Sequence, residues 1–191
     1  LVVSPVEQQL LAREAPGALV EVLSNVHSIQ GRRRGFGERS DVVFVGGFQH
    51  PPNIDAATWL VEEILPLVRA ELPELRLHLI GSKASEAVRA LGQHAGVVFH
   101  GYVPDIDPYM DGCRLALAPL RYGAGVKGKV NLSMAHGQPV VATTCAVEGM
   151  FAVPGRDVLV ADDAAGFARE VVRAYGDEAL WTGLSDHGLE N

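Results

Sequence analysis

The sequence predicts a doubly wound α/β domain built on a parallel sheet, and three observations carry the prediction. From Asp41 onward a short β-branched apolar run, a Gly or Pro turn and a longer amphipathic stretch recur in alternation. Several of the apolar runs are nearly continuous rather than alternating, as expected of parallel strands covered on both faces. Finally, 191 residues at 48% apolar and 20% charged suffice for one domain with a substantial core.

Taken in order, the predicted strands are Asp41–Val45, Leu75–Ile80, Val97–Phe99, Arg114–Ala118, Pro139–Ala142 and Asp157–Val160. Between them the helical stretches are Ile54–Leu72, Ser85–Gln93, Asp107–Gly112, Lys127–His136 and Asp163–Tyr175. In the first, Trp59, Ile64, Leu67 and Leu72 fall near one stripe and Asn53 reads as the N-cap; Asp162 or Asp163 caps the fifth. Residues 1–40 differ. Pro5–Glu14 reads as a short helix, Ala18–Leu23 as a strand, and Gly31–Ser40 as an exposed linker. Its triple Arg32-Arg33-Arg34 reads as a solvated loop, with a phosphate or nucleic-acid contact as the alternative. Leu1-Val2-Val3-Ser4 carries neither an initiator Met nor a basic signal n-region, so the chain is expected to be part of a longer protein.

Charge and motifs narrow the function. A net charge of −7 and a pI near 5.4 argue against a nucleic-acid domain. No apolar run approaches the roughly 18–20 residues that cross a bilayer. Two cysteines, Cys113 and Cys145, make no disulfide framework, and a reducing cytoplasm is expected. The histidines show no metal-ligand spacing, so no metal is expected. Ser4, Ser82 and Ser85 lack a nucleophile elbow. Cys145 is either a reactive thiol or an indifferent one, and Glu148 either reaches the crevice or faces solvent.

In open α/β sheets the ligand lies beyond the C-terminal strand ends. After the first strand stands Gly46-Gly47-Phe48, not a dinucleotide fingerprint, and the second ends in Gly81-Ser82 instead of a ribose-binding acid, which disfavours a dehydrogenase. The glycine pair serves a close ligand approach or a plain tight turn. The richest stretch is Pro119–Val141. There a strand passes into Tyr122-Gly123-Ala124-Gly125 and a helix opens near Val126, aiming backbone N–H groups and a helix dipole at the crevice. Lys127 and Lys129 oppose that dipole, at about 0.3–1 kcal/mol. An anionic ligand, most naturally a diphosphate, removes the conflict; two solvated lysines are the alternative. Val126, Val130 and Met134 form one apolar stripe, whereas Leu132 groups with Lys129 and His136 on the other flank. Either both faces are buried or that flank lines the crevice.

Read together, these pieces resemble the C-terminal, nucleotide-sugar-binding half of a GT-B glycosyltransferase of group 1 (family 4), a Rossmann-like domain. The resemblance runs through Phe44–Phe48, Pro52–Ala56, Leu77–Gly81, Val98–Asp105, Pro119–Lys129, Met134–Thr143 and Asp157–Asp162, and so spans essentially residues 41–175. It implies residues 41–191 as the donor-binding domain and residues 1–40 as the end of an N-terminal acceptor domain and its connection. The matching pieces there are Val3-Ser4 with Glu7 and Val22-Leu23-Ser24-Asn25. It further implies a retaining transferase that moves a sugar from a nucleotide-diphosphate-sugar to a glycan, lipid or polysaccharide precursor. No cofactor or metal is required, and membrane contact would come through the missing domain. By the resemblance Gly46 and Gly47 approach the donor phosphates, and Gly101, Tyr102 and Val103 flank the base. Tyr122, Gly123, Ala124, Gly125 and Val126 meet diphosphate and sugar, while Lys127 and Lys129 stabilise the leaving group.

Three positions depart from the family pattern. Ala124 and Leu132 stand where a pair of glutamates is usual, and Gly47 replaces an arginine. The helix glutamate ordinarily receives the ribose hydroxyls, and a charged hydrogen bond is worth roughly 1.5–3 kcal/mol. Leu132 thereby takes the site-facing flank. The lost carboxylates favour an alternative, a non-catalytic GT-B-like binding module; the retained lysines and glycine loop favour the enzyme.

Overall fold

The computed structural model describes residues 1–23, 25 and 27–191, so Ser24 of the expected interdomain connection lies outside the described residues. Six strands form one sheet: β1 (Ser40–Val45), β2 (Leu77–Ile80), β3 (Val97–Gly101), β4 (Cys113–Ala118), β5 (Val140–Ala142) and β6 (Leu159–Val160). Their order is β3-β2-β1-β4-β5-β6 and every pairing is parallel. The expected doubly wound architecture is thus present. Val42, Val43, Phe44, Leu77, Leu79, Leu115 and Val141 are buried from both faces, which is why their runs lack polar alternation.

The helices are α1 (Pro5–Glu14), α2 (Pro51–Trp59), α3 (Leu65–Glu71), α4 (Glu86–Ala90), α5 (Asp107–Gly112), α6 (Gly128–Ala135), α7 (Thr144–Val147), α8 (Ala164–Gly176) and α9 (Glu178–Glu190). Where the sequence predicts one helix over 54–72, a π turn at Leu60–Ile64 separates α2 from α3. Pro66 explains it. Its ring cannot sit against a regular preceding turn and it donates no N–H, so the ladder widens ahead of it. His50, not Asn53, holds the N-cap position of α2, because Pro51 and Pro52 open the helix at the positions where no N–H is needed. Asp163 caps α8 through Gly166 N at 2.8 Å, while Asp162 instead accepts from Thr144 N and Oγ1.

Two expectations for residues 1–40 are corrected. Ala18–Leu23 is not a strand: Val22 makes one isolated bridge with Val2, and Leu19 and Leu23 face outward. Gly31–Ser40 is largely exposed, as expected, but it is not a free linker: it carries a 3₁₀ turn at Phe36–Glu38, and Ser40 already lies in β1. Arg39, 1% exposed, donates to the carbonyls of Met110, Cys113 and His136 at 2.6, 3.3 and 3.0 Å. Burial lowers its pKa to about 10, still charged at neutral pH. Arg32 pairs with Asp186 at 2.7 Å and Arg33 with Asp111 at 3.2 Å, so two of the three arginines tie the segment to the domain.

Candidate functional site

The sheet order places the topological switch between β1 and β4, whose neighbours continue in opposite directions. The loops leaving these two strands form the site. At the end of β1, Gly46 N donates to Ile80 O at 2.9 Å. The neighbouring strand ends as closely as it can: a Cβ on Gly81 would stand 1.8 Å from Gly46 O, so only glycine fits. A Cβ on Gly46 would likewise stand 2.9 Å from the Asn53 side chain, which folds down onto this turn. Asn53 Nδ2 donates to Gly47 O at 2.9 Å, and Asn53 Oδ1 accepts from Lys129 Nζ at 2.5 Å. One buried asparagine thus links the β1 turn, α2 and α6.

Lys129 hangs its ammonium 4.6 Å from the centre of the Phe44 ring. Burial, and secondarily the charge of Lys127, push its pKa down to about 8. Lys127 occupies the N-cap position of α6 and is only 9% exposed. Its ammonium turns back and donates to Gly123 O at 2.9 Å and Gly125 O at 2.5 Å. Gly123 and Gly125 have φ of +124° and +78°, the conformation that lets their carbonyls face one ammonium. The reading of two solvated lysines is therefore corrected. Both are held in the fold, and among the described residues neither forms a salt bridge. The stretch Pro119–Val141 contains no acidic residue at all.

The other expected residues lie around this centre. Tyr122 and Ala124 are exposed on the loop, and Val126 packs half-buried at its end. Next to it Arg121 makes a bidentate pair with Asp55, which raises its pKa. Cys145 Sγ lies 3.7 Å from Gly123 O, a weak contact behind the loop, and Glu148 is exposed. Gly101, with φ +68°, ends β3 at the same edge of the sheet, two strands from β1; Tyr102 beyond it is 74% exposed and Val103 packs on the core. Leu132 is half-buried against the core. Its flank is crevice-facing only at the Lys129 end: His136 is 1% exposed and bonds through Nδ1 to Asp111 at 3.0 Å.

Three features were missed by sequence reasoning. Asn53 was read as a cap and as part of the resemblance but given no place in the site, although it lies between the turn and Lys129. A histidine pair supports the β3 edge: His78 Nδ1 and His100 Nε2 are 2.8 Å apart, and Tyr109 Oη lies 3.2 Å from His100 Nδ1. The N-terminal segment also returns to the loop. Glu7 Oε1 lies 3.8 Å from where a Gly125 Cβ would stand, and His27 Cε1 4.0 Å from that of Gly128. No local spacing signals contacts so distant in sequence. A cavity of about 410 Å³ lies alongside, between Val3, His27, Val126, Asn131, Met150 and Phe151. It includes neither lysine, so the switch-point cluster and not this cavity carries the charge-based chemistry.

A family model described as "Glycosyl transferases group 1" matches residues 39–177. A Klebsiella pneumoniae relative, described as an uncharacterized 44.6 kDa protein in the cps region, is 26% identical over 140 residues, which make up 69% of this chain and 36% of the relative. The chain thus spans about a third of that relative's length. A variant of S. aureus TarM, in complex with fondaparinux, alpha-GlcNAc-glycerol and UDP, superposes with a TM-score of 0.84 at 15% identity, over 99% of this chain and 39% of that one. Anabaena HepE in complex with UDP and glucose gives 0.75 at 16% identity, over 99% and 56%. WaaG, a glycosyltransferase involved in lipopolysaccharide biosynthesis, gives 0.73 at 12%, over 99% and 56%. At these identities the three are likenesses of fold.

Proposed function

The chain belongs to the group 1 glycosyl transferases, and from that premise we propose that it is the donor-binding part of a retaining glycosyltransferase acting on a nucleotide-diphosphate-sugar. One observation carries the reading. The ammonium groups of buried Lys127 and half-buried Lys129 meet at the switch point with only neutral carbonyl, amide and aromatic partners among the described residues. Buried cations are normally paired, and a diphosphate is the anion of matching charge and size. The neighbours that hold UDP support a nucleotide of this kind.

In this reading the diphosphate receives the two lysines and the free N–H groups opening α6. As the sugar leaves, negative charge grows on the diphosphate, and the same cations stabilise it where it grows. They are set in place by Asn53 and the glycine carbonyls, so little reorganisation accompanies the reaction. Gly46 and Gly47 allow the phosphates close to the backbone, and Gly101–Val103 flank the base. The stretch ahead of Gly31 belongs to the end of an acceptor domain and its connection, and without that domain this chain binds donor but does not transfer sugar. That domain provides any membrane contact, and the enzyme works in the cytoplasm.

The absence of acidic residues from Pro119–Val141 favours a second reading, a binding module without transfer activity. A thermal-shift panel of UDP, GDP, ADP and their sugars separates the two. The donor reading predicts that one nucleotide raises the Tm and that Lys127→Ala weakens its binding several-fold. Silence across the panel, or a Lys127→Ala variant that binds equally well by calorimetry, overturns it.

A further inference from the structure

We propose that Glu7 is the residue that receives the donor's sugar: its carboxylate accepts hydroxyl hydrogen bonds beside the glycine loop and so fixes which end of the donor points away from the lysines. The proposal rests on the donor-binding reading above and adds a specificity-determining residue to it.

The placement of Glu7 is built, not incidental. Ser4 caps α1, accepting from Glu7 N at 3.3 Å, and is itself 3% exposed. It sits against the turn after α7, where a Cβ on Gly149 (φ +73°) would stand 2.9 Å from Ser4 Cβ. The first turn of α1 is therefore seated on the site's own loops. From there one carboxylate oxygen of Glu7, Oε2, accepts from Val3 N at 2.9 Å. The other, Oε1, faces Gly125 at 3.8 Å from its Cβ position and has no hydrogen-bond partner among the described residues. Gly125 is thus touched by both charges: its carbonyl accepts from Lys127, and its open Cα side looks at Glu7.

Competing carboxylates do not serve. Asp55 is committed to Arg121, and Glu148 is exposed. A carboxylate repels a diphosphate, which the lysines hold, but accepts strongly from uncharged hydroxyl groups. The charge arrangement therefore gives the site a polarity: phosphates toward Lys127 and Lys129, sugar toward Glu7.

Glutamine at position 7 separates this role from capping, since its amide oxygen still accepts from Val3 N. Matched pairs (UDP and UDP-glucose, GDP and GDP-mannose, ADP and ADP-glucose) are titrated calorimetrically into the full chain and into Glu7→Gln. For the pair that binds, Glu7→Gln weakens the sugar nucleotide about tenfold, the worth of one charged hydrogen bond. Affinity for the bare diphosphate stays the same, as does the Tm. Adding Ala124→Glu to Glu7→Gln returns a carboxylate to the loop and recovers part of the loss. If the diphosphate binds but Glu7→Gln leaves the ratio of the two affinities unchanged, the role of Glu7 is overturned and the donor reading stands. If no compound of any pair binds the wild type, both fall together.

Discussion

Replacing Lys129 with methionine should make the protein more stable and less able to hold a diphosphate. Lys129 is half-buried, its ammonium against Phe44, with its pKa lowered from 10.5 to about 8. At 1.36 kcal/mol per unit this represents on the order of 3 kcal/mol of cost at neutral pH for keeping the charge in that place. Methionine fills the same space without the charge. Against this, Asn53 Oδ1 loses its partner, at about 1–2 kcal/mol at the edge of a crevice that water reaches. The balance is a gain of about 1–2 kcal/mol, or roughly 2–8 °C in Tm for a domain of this size. The pH dependence carries the sign. Below pH 8 the folded and unfolded chains both hold the proton and the cost is present in full; between about 8 and 10.5 only the unfolded chain holds it. Wild-type stability therefore gains a rising component through that window, which Lys129→Met lacks. The assay is thermal melting without nucleotide at pH 7 and pH 9.5, with calorimetric titration of the nucleotide that the wild type binds, where a loss of about tenfold or more is expected. A variant that melts no higher than wild type at pH 7 while binding the nucleotide equally well refutes the reasoning.

Arg39→Ala takes the guanidinium donor from the Met110 and His136 carbonyls, while the Cys113 carbonyl keeps Gln138 Nε2 at 2.9 Å, and should cost about 3–5 kcal/mol, read from urea midpoints; a loss under about 1 kcal/mol would show that water replaces the guanidinium. His100 has its pKa lowered by burial and by His78, so stability falls as the pH drops below about 6.5, where the unfolded chain takes up the proton first. The groups facing the pair are Asp41, Arg76 and Tyr109. His100→Gln should flatten the fall between pH 7.5 and 5.5 in urea denaturation, and an unaltered slope would place the titration elsewhere.

What the sequence disclosed follows from where the physics is local. Runs such as Val42–Phe44 and Val140–Ala142 are apolar on both faces because both faces are covered, so each strand announces itself. The lysines of the glycine loop were legible as a conflict with the α6 dipole. Their conformation was not, because it depends on Gly123 and Gly125 turning two carbonyls inward. α9 went unnoticed because its buried face, Trp181, Leu184, Ser185 and Gly188, mixes a serine and a glycine into the apolar stripe. Arg39 was misread, and Glu7 was named only as part of the resemblance and given no role, for a different reason. Each has a local pattern that fits a linker or a cap, and each finds its decisive partners in a distant part of the chain.

The central claim is that Lys127 and Lys129 are the cations that receive a diphosphate, and at pH 8, where Lys129 is only partly protonated in the fold, its arrival makes Lys129 fully charged. Calorimetric titration at pH 8, in buffers of different ionisation enthalpy, measures this as proton uptake. The ligand is the sugar nucleotide with the largest thermal shift, whose diphosphate has no group titrating near pH 8. With a pKa of about 8 before binding, the account predicts uptake of about half a proton per nucleotide at pH 8, falling toward zero at pH 6.5 and absent in Lys129→Met. Tight binding with no proton uptake at pH 8 would contradict it.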